Sequence, residues 1–297
     1  MKILLAVDGS SASERAIDLV GTTAWPAGSH VRLIHVAEPN LAGYAGLPGV
    51  MVSSEAVDEA IQADREYRQE LLATTRARLE APGRGLDSVI VDGRAASSIV
   101  DAANAFEADL IVLGSHGRGA IGSAVLGSVA AEVVEYAATP VLVVRNATVS
   151  RLVLADDGSS SAAAARALLG HMPGFRGLPV RVVSAAERQP GWLGWLQPEA
   201  AGDIQAFEEA LQADFKDHET TASKAADELA AAGLVAEGVA PVGDPATEIV
   251  HAAEAFHADL IVMGTRGKTG FERLLLGSVA HKVVQRAHCS VLVVRRR

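Results

Sequence analysis

The sequence predicts two tandem α/β domains, each built on a parallel sheet with helices on both faces. Three observations carry this. First, the 297-residue chain repeats itself: "ADLIVLGSHGRGAIGSAVLGSVA" from Ala108 returns as "ADLIVMGTRGKTGFERLLLGSVA" from Ala258, with Gly114 and Gly264 standing 150 positions apart. Second, the apolar runs are short, rich in β-branched residues and not alternating, as strands buried on both faces require. Third, segments of helical period separate them, so each copy reads βαβαβαβαβ.

The repeat extends over both copies. "ILLAVDGSSAS" at Ile3 matches "LVLADDGSSSA" at Leu152, "VDGRAASSIVDAANAFEADL" matches "PVGDPATEIVHAAEAFHADL", and "ATPVLVVR" matches "HCSVLVVR". A period this long means two whole domains rather than a solenoid. We place them at 1–146 and 150–297, joined by "NATVS". Strands are expected at Ile3–Val7, Val31–Val36, Ser88–Val91, Leu110–Leu113 and Val141–Val144. The second set is expected near Leu152–Ala155, Val180–Ser184, Val235–Val239, Leu260–Met263 and Val291–Val294. Helices of the first copy are expected at Ser13–Val20, Glu55–Leu79, Ala96–Ala105 and Val129–Tyr136. The copies differ most between the second strand and second helix. Trp192 and Trp195 lie there, in a segment read as a loop covering its own domain, with a partner or membrane patch as the other reading.

Composition bounds the function. Hydrophobic residues make up 49% and charged residues 21%, which is a globular balance. A formal net charge of −10 argues against nonspecific nucleic-acid binding, which needs a basic surface. The single cysteine, Cys289, allows neither an internal disulfide nor a cysteine-based metal site, and reads as a buried small hydrophobe. Five apolar residues before Asp8 are too few for a signal peptide, and no apolar run approaches the about 20 residues of a membrane span. A soluble, cytoplasmic protein with no membrane partner is expected.

The chemistry lies in Gly-x2-Gly-x9-Gly-Ser, which follows the fourth strand of each copy. In an open parallel sheet, ligands bind beyond the carboxyl ends of the strands, where strand order reverses. The turn after the first strand, carrying Asp8, and the loop after the fourth both border that edge. Gly114 and Gly117 are expected to turn the chain sharply and bring bare N–H groups to a ligand. Gly127 and Ser128 open the next helix, whose free N–H groups and positive dipole end suit phosphate. The pattern therefore predicts phosphate binding in both copies. Two lookalikes are set aside. Gly117-Arg118-Gly119-Ala120-Ile121-Gly122 spells a dinucleotide fingerprint but follows the wrong strand, and Thr269 stands where the second copy would need Gly119. Gly267-Lys268-Thr269 resembles the end of a P-loop, but the upstream glycine would fall at Val262.

With "VDGSSAS", "LIHV", the glycine motif and "PVLVVR" in place, the chain resembles a tandem universal stress protein of the ATP-binding branch. The resemblance covers almost the whole chain. It implies a flavodoxin/Rossmann-like fold, a five-stranded parallel sheet in order 3-2-1-4-5 in each domain, and pairing of the domains through "PVLVV" and "SVLVV". It implies up to two ATP molecules per chain. In the first site, Asp8, Gly9 and Val36 would lie near adenine and ribose. Gly114, Ser115, His116, Gly117, Arg118 and Gly119, with Gly127 and Ser128, would cradle the phosphates. In the second, Asp157 and Gly158 would match the first pair. Gly264, Thr265, Arg266, Gly267, Lys268 and Thr269, with Gly277 and Ser278, would form the phosphate loop. Asp156 stands where the first copy has Val7, and Ala185 where it has Val36, so a changed adenine-side wall is expected. Arg94-Ala95 becomes Asp244-Pro245, a change expected to alter a turn and not the ligand.

Asp8 and Asp157 keep three readings: acceptor for a ribose hydroxyl, Mg²⁺ ligand, or cap of the following helix. Arg118 and Lys268 either pair with phosphate or are solvated rim charges. His35 is expected in a satisfied hydrogen bond at a strand end. His116 aligns with Arg266, so it is a poor shared base, and no nucleophile or paired carboxylates recur in both loops. The expected function is a nucleotide-dependent regulator or sensor of the stress response. A slow ATPase or phosphotransferase, and an interaction scaffold with structural nucleotide, are the alternatives. A protein partner is expected but unnamed, and a homodimer beyond the internal pair is left open.

Overall fold

The computed structural model describes residues 1–38, 54–117, 126–187, 204–265, 267 and 276–295. The chain divides into two compact units, one holding Met1–Thr23 and Ala27–Ala147, the other Ala24–Pro26 and Thr148–Arg297. In the first unit the strands are β1 (Lys2–Ala6), β2 (His30–Ala37), β3 (Gly85–Asp92), β4 (Leu110–Gly114) and β5 (Val141–Val144). They pair in parallel in the order β3-β2-β1-β4-β5. In the second, β6 (Leu152–Ala155), β7 (Pro179–Val183), β8 (Val235–Val239), β9 (Leu260–Gly264) and β10 (Ser290–Val294) pair in parallel as β8-β7-β6-β9-β10. Both are the expected 3-2-1-4-5.

The middle strands are sealed. Ile3, Leu4, Leu5, Leu152, Val153 and Leu154 are all fully buried, because helices cover both sheet faces. In the first unit these are α1 (Ser11–Thr22), α2 (Ser54–Leu79), α3 (Ala95–Phe106) and α4 (Ser128–Tyr136). α1 packs on β4 and meets α2, while α3 packs on β1 and β2 and meets α4. The second unit repeats this with α5 (Ser160–Gly170), α6 (Ile204–Ala231), α7 (Pro245–Ala255) and α8 (Ser278–Arg286). Cys289 is buried as expected. Trp192 and Trp195 lie outside the described residues.

β3 departs from expectation. It begins at Gly85, three residues earlier than the apolar run, and its residues alternate between half-buried and exposed from Ser88 onward. The reason is polar. Asp87 accepts from Arg32 Nε at 2.6 Å and Arg32 Nη2 at 2.8 Å, and His30 Nε2 lies 3.0 Å away, so charge pins the extra register. Arg32 also stacks over the Phe106 ring at 4.2 Å. The second unit keeps the same clasp, with Arg181 on Glu237 at 2.6 Å and over Phe256 at 4.4 Å.

The starts of α3 and α7 show how the copies can differ without moving. Arg94 makes no side-chain cap and binds Glu132 of α4 at 2.7 Å. Asp244 caps α7 by accepting from Thr247 N at 3.0 Å and binds Lys282 of α8 at 3.1 Å. The cross-helix ion pair is retained with its charges exchanged.

Two predictions follow from this packing. A Cβ on Gly114 would lie 2.6 Å from the Ala12 carbonyl carbon, and one on Gly264 would lie 2.6 Å from that of Ser161. Gly114→Ala and Gly264→Ala should therefore each cost about 1–3 kcal/mol in urea denaturation, because backbone must move. The Arg32 guanidinium, followed by its charge and His30, holds the Asp87 carboxyl below its ordinary value even against burial. That contribution is present above the unfolded Asp pKa of about 4 and disappears as pH falls through the lower folded value. With the carboxylate 38% exposed, Asp87→Asn should remove only about 0–1 kcal/mol at neutral pH and flatten the acid limb of the stability curve.

Candidate functional site

Strand order reverses between β1 and β4, and again between β6 and β9, which opens a crevice at their carboxyl ends. Two segments of each unit meet there. One is the turn after β1 or β6, and the other is the glycine loop after β4 or β9.

The turn is built by short side chains. Gly9 and Gly158 both have φ of +77°, a left-handed conformation that glycine adopts without strain. Asp8 Oδ1 accepts from Ser10 N at 2.9 Å, and Asp157 Oδ1 accepts from Ser159 N at 3.0 Å. Neither aspartate caps the helix. Ser10 does so in the first unit, accepting from Ser13 N at 3.1 Å, and Ser159 in the second, accepting from Ala162 N at 3.2 Å. The capping reading of Asp8 and Asp157 is thus replaced: the aspartates shape the turn and the serines take the orphan N–H groups. A serine just before each helical run was the available signal.

The glycine loop follows a different logic from the one expected. Gly114, Gly117, Gly127, Gly264, Gly267 and Gly277 are not among the positive-φ glycines, so no special backbone turn demands them. Close approach does. Gly114 and Gly264 sit under the first turns of α1 and α5. A Cβ on Gly117 would lie 3.1 Å from Asp8 Oδ2, and one on Gly267 would lie 2.8 Å from Asp157 Oδ2. A Cβ on Gly127 would lie 3.0 Å from the His116 Cα. Each glycine thus brings loop, turn and helix start together. Gly127 N donates to Ser115 O at 2.7 Å, and Gly277 N to Thr265 O at 2.7 Å, closing the base of each loop.

The helix starts face the pinch. Gly127 and Gly277 occupy the N-cap positions and make no side-chain cap. The first helical bonds are Ala131 N to Gly127 O and His281 N to Gly277 O. The N–H groups of Ser128, Val129 and Ala130, and of Ser278, Val279 and Ala280, therefore have no helical acceptor. Ser128 and Ser278 are exposed. Ser115 is fully buried and Thr265 nearly so. Ser115 Oγ lies 3.0 Å from His116 Nδ1, and the His116 carbonyl accepts from Ser10 Oγ at 3.3 Å. Val36 and its counterpart Ala185 are half-buried at the ends of the second strands. His35 is buried with Nδ1 2.8 Å from Val7 O, the satisfied role expected. Arg118, Gly119, Arg266, Lys268 and Thr269 lie outside the described residues.

Asp156 is not part of an adenine-side wall. Its side chain is fully buried, as is most of Val7, and it turns toward α5, where Arg166 Nη1 meets its Oδ2. Arg166 Nε also binds Glu228 of α6 at 2.6 Å. Burial pushes the Asp156 carboxyl up, while the Gly158 N–H and Arg166 pull it back. Arg166 occupies the slot of Ile17, so two buried apolar residues in one unit are replaced by an ion pair in the other. Among the described residues no group of three or more His, Cys, Asp or Glu could hold a metal ion.

The Universal stress protein family model matches residues 1–145 and again 148–295. The chain is 28% identical to a universal stress protein of Mycolicibacterium smegmatis, over 99% of this chain and 97% of that protein. It is 67% identical to a universal stress protein of Methanocaldococcus jannaschii over 54 residues, which are 18% of this chain and 32% of that one. The crystal structure of a universal stress protein from Archaeoglobus fulgidus has the same fold, with a TM-score of 0.62 at 20% identity, covering 100% of this chain and 98% of that one.

The buried pair gives a stability prediction. Asp156→Val alone leaves Arg166 half-compensated in a mostly buried slot and should cost about 2–4 kcal/mol in urea denaturation. Adding Arg166→Ile restores the apolar arrangement of the first unit and should return stability to at least the parent value.

Proposed function

Because the chain belongs to the universal stress protein family, we propose that it binds adenine nucleotide, foremost ATP, at up to two sites per chain and acts as a nucleotide-dependent regulator in the stress response. The observation that supports this most is the twofold meeting of an aspartate turn, a glycine loop and an uncapped helix start at the point where strand order reverses.

Each part suits one portion of the ligand. The N–H groups at the starts of α4 and α8, with Ser128 and Ser278, fit phosphate oxygens. Gly117 and Gly267 let the loop close onto the aspartates, which keeps the loop backbone within reach of phosphate. Asp8 and Asp157, at the mouth of the turn, fit a ribose hydroxyl as acceptors, and Gly9 and Gly158 keep the turn low. Val36 offers an apolar wall to adenine, and Ala185 a smaller one. Arg118 and Lys268 supply a cation at the same place in each loop. A Mg²⁺ ion bound with ATP would take its ligands chiefly from phosphate and water, since the described residues form no metal cluster of their own.

Regulation is favoured over catalysis on chemical grounds. Phosphoryl transfer needs a positioned nucleophile and strong neutralisation of developing charge. The loops offer N–H groups and hydroxyls in both units; the aspartate of each turn is assigned to ribose, and His116 aligns with Arg266, so the loops hold no base at a shared position. A binding protein gains its switch from differential affinity between two conformations and needs no turnover. Among the described residues no helix is long and apolar enough to cross a membrane, which fits action in the cytoplasm.

Calorimetric titration of ATP into nucleotide-stripped, folded protein should give up to two sites. Gly117→Glu and Gly267→Glu should each remove one, because a carboxylate would occupy the place of phosphate beside Asp8 or Asp157. Two sites persisting in both variants would refute the assignment. Phosphate release with Mg²⁺ should stay well below the roughly 1 s⁻¹ of slow ordinary enzymes. Fast turnover that vanishes in the double glycine variant would make the protein an enzyme instead.

A further inference from the structure

We infer that Asp156 is a positioning residue of the second site: it locks the turn that presents Asp157 to Gly267, through a buried bond that the first unit cannot make. The turn lock is independent of any ligand, whereas its effect on binding rests on the nucleotide reading above.

The two consecutive aspartates do different work. Asp156 N donates to Val183 O at 2.9 Å, extending the β6–β7 pairing one residue past the strand. On this extended backbone successive side chains point to opposite sides. Asp157 therefore faces the crevice, where its Oδ2 borders Gly267. Asp156 faces inward, with no exposed side-chain surface. There its Oδ1 accepts the Gly158 N–H at 2.8 Å, and its Oδ2 meets Arg166. Arg166 is itself held by Glu228. An unbroken polar chain thus runs from α6 through α5 to the central residue of the turn. A hydrogen bond to a buried charged acceptor is among the stronger ones a protein makes.

The first unit shows the same turn without the lock. Gly9 shares the φ of Gly158, so both turns carry a left-handed residue at the same place. Val7 stands in the place of Asp156 and has only hydrocarbon to offer the Gly9 N–H. Ile17 stands in the place of Arg166, and both apolar residues are buried. The tie between the helices is moved to the surface, where Arg78 of α2 binds Glu14 at 2.5 Å and Asp18 at 2.6 Å on α1. That tie does not reach the turn. The second turn is therefore held in its binding conformation before any ligand arrives, and a ligand there has less ordering to offset.

The test uses the full chain carrying Gly117→Glu, so that only the second site reports. Three forms are compared: Asp156 intact, Asp156→Asn, and Asp156→Val with Arg166→Ile. The double replacement copies the arrangement that folds in the first unit, and urea denaturation verifies that it is folded. Hydrogen exchange reads the lock directly. The Gly158 amide should exchange slowly in the intact and Asn forms, since Asn keeps Oδ1, and about tenfold faster in the double replacement. ATP affinity should fall about 3–10-fold in the double replacement and stay within about twofold for Asn. In the complementary Gly267→Glu background the first site should not change.

Gly158 exchanging alike in all three forms would overturn the lock. Faster exchange with unchanged ATP affinity would overturn the positioning role. If the intact form binds no ATP while the double replacement still loses Gly158 protection, the lock stands and the nucleotide reading of the second site fails.

Discussion

A carboxylate oxygen resting against a bare α-carbon holds the site of each unit together. A Cβ on Gly117 would come within 3.1 Å of Asp8 Oδ2, and one on Gly267 within 2.8 Å of Asp157 Oδ2, so a side chain at either place would have to displace the aspartate. These contacts join the turn after the first strand to the loop after the fourth, two segments more than a hundred residues apart in sequence. Much else in the crevice follows from them. The loop must be pinched at its base to reach the turn, and Gly127 N to Ser115 O does this in one unit, Gly277 N to Thr265 O in the other. The pinch places an uncapped helix start beside the carboxylate. Negative charge on the aspartate and donor N–H groups on the helix thus lie on two sides of one crevice, which is the polarity a nucleotide presents between ribose hydroxyls and phosphates.

Comparing the two copies separates what the fold needs from what it tolerates. The glycine contacts, the serine caps, the strand order and the Arg–carboxylate–Phe clasp occur in both. The charges of the ion pair between α3 and α4 are reversed between α7 and α8, so either direction of the pair is compatible with the fold. The apolar pair Val7 and Ile17 becomes the ion pair Asp156 and Arg166. A buried ion pair gives little net stability over hydrocarbon of similar volume, so its presence in one copy is better explained by what it holds, namely the turn at Gly158.

Much of this was legible in the sequence because periodicity reports burial and repetition reports architecture. The repeat fixed two units, and the apolar runs located the ten strands to within three residues. β3 was the weakest, because its first turn of pairing depends on Asp87 reaching Arg32, a contact between residues 55 apart that hydropathy does not encode. The glycine motif reads in sequence as a sharp turn; its described glycines instead stand where the chain closely approaches α1, Asp8 and His116, whereas the turn with positive φ is at Gly9. Asp156 was visible as a departure from Val7, but only its partner Arg166, one helix away, showed that it faces inward.

The account stands or falls on what the protein carries. Full-length protein purified without added nucleotide, then denatured, should release adenine nucleotide detectable by mass spectrometry, up to two molecules per chain. The folded double variant Gly117→Glu, Gly267→Glu should release none. No nucleotide from the parent, or equal release from the parent and the double variant, would contradict the claim that the paired turn and glycine loop form a nucleotide site.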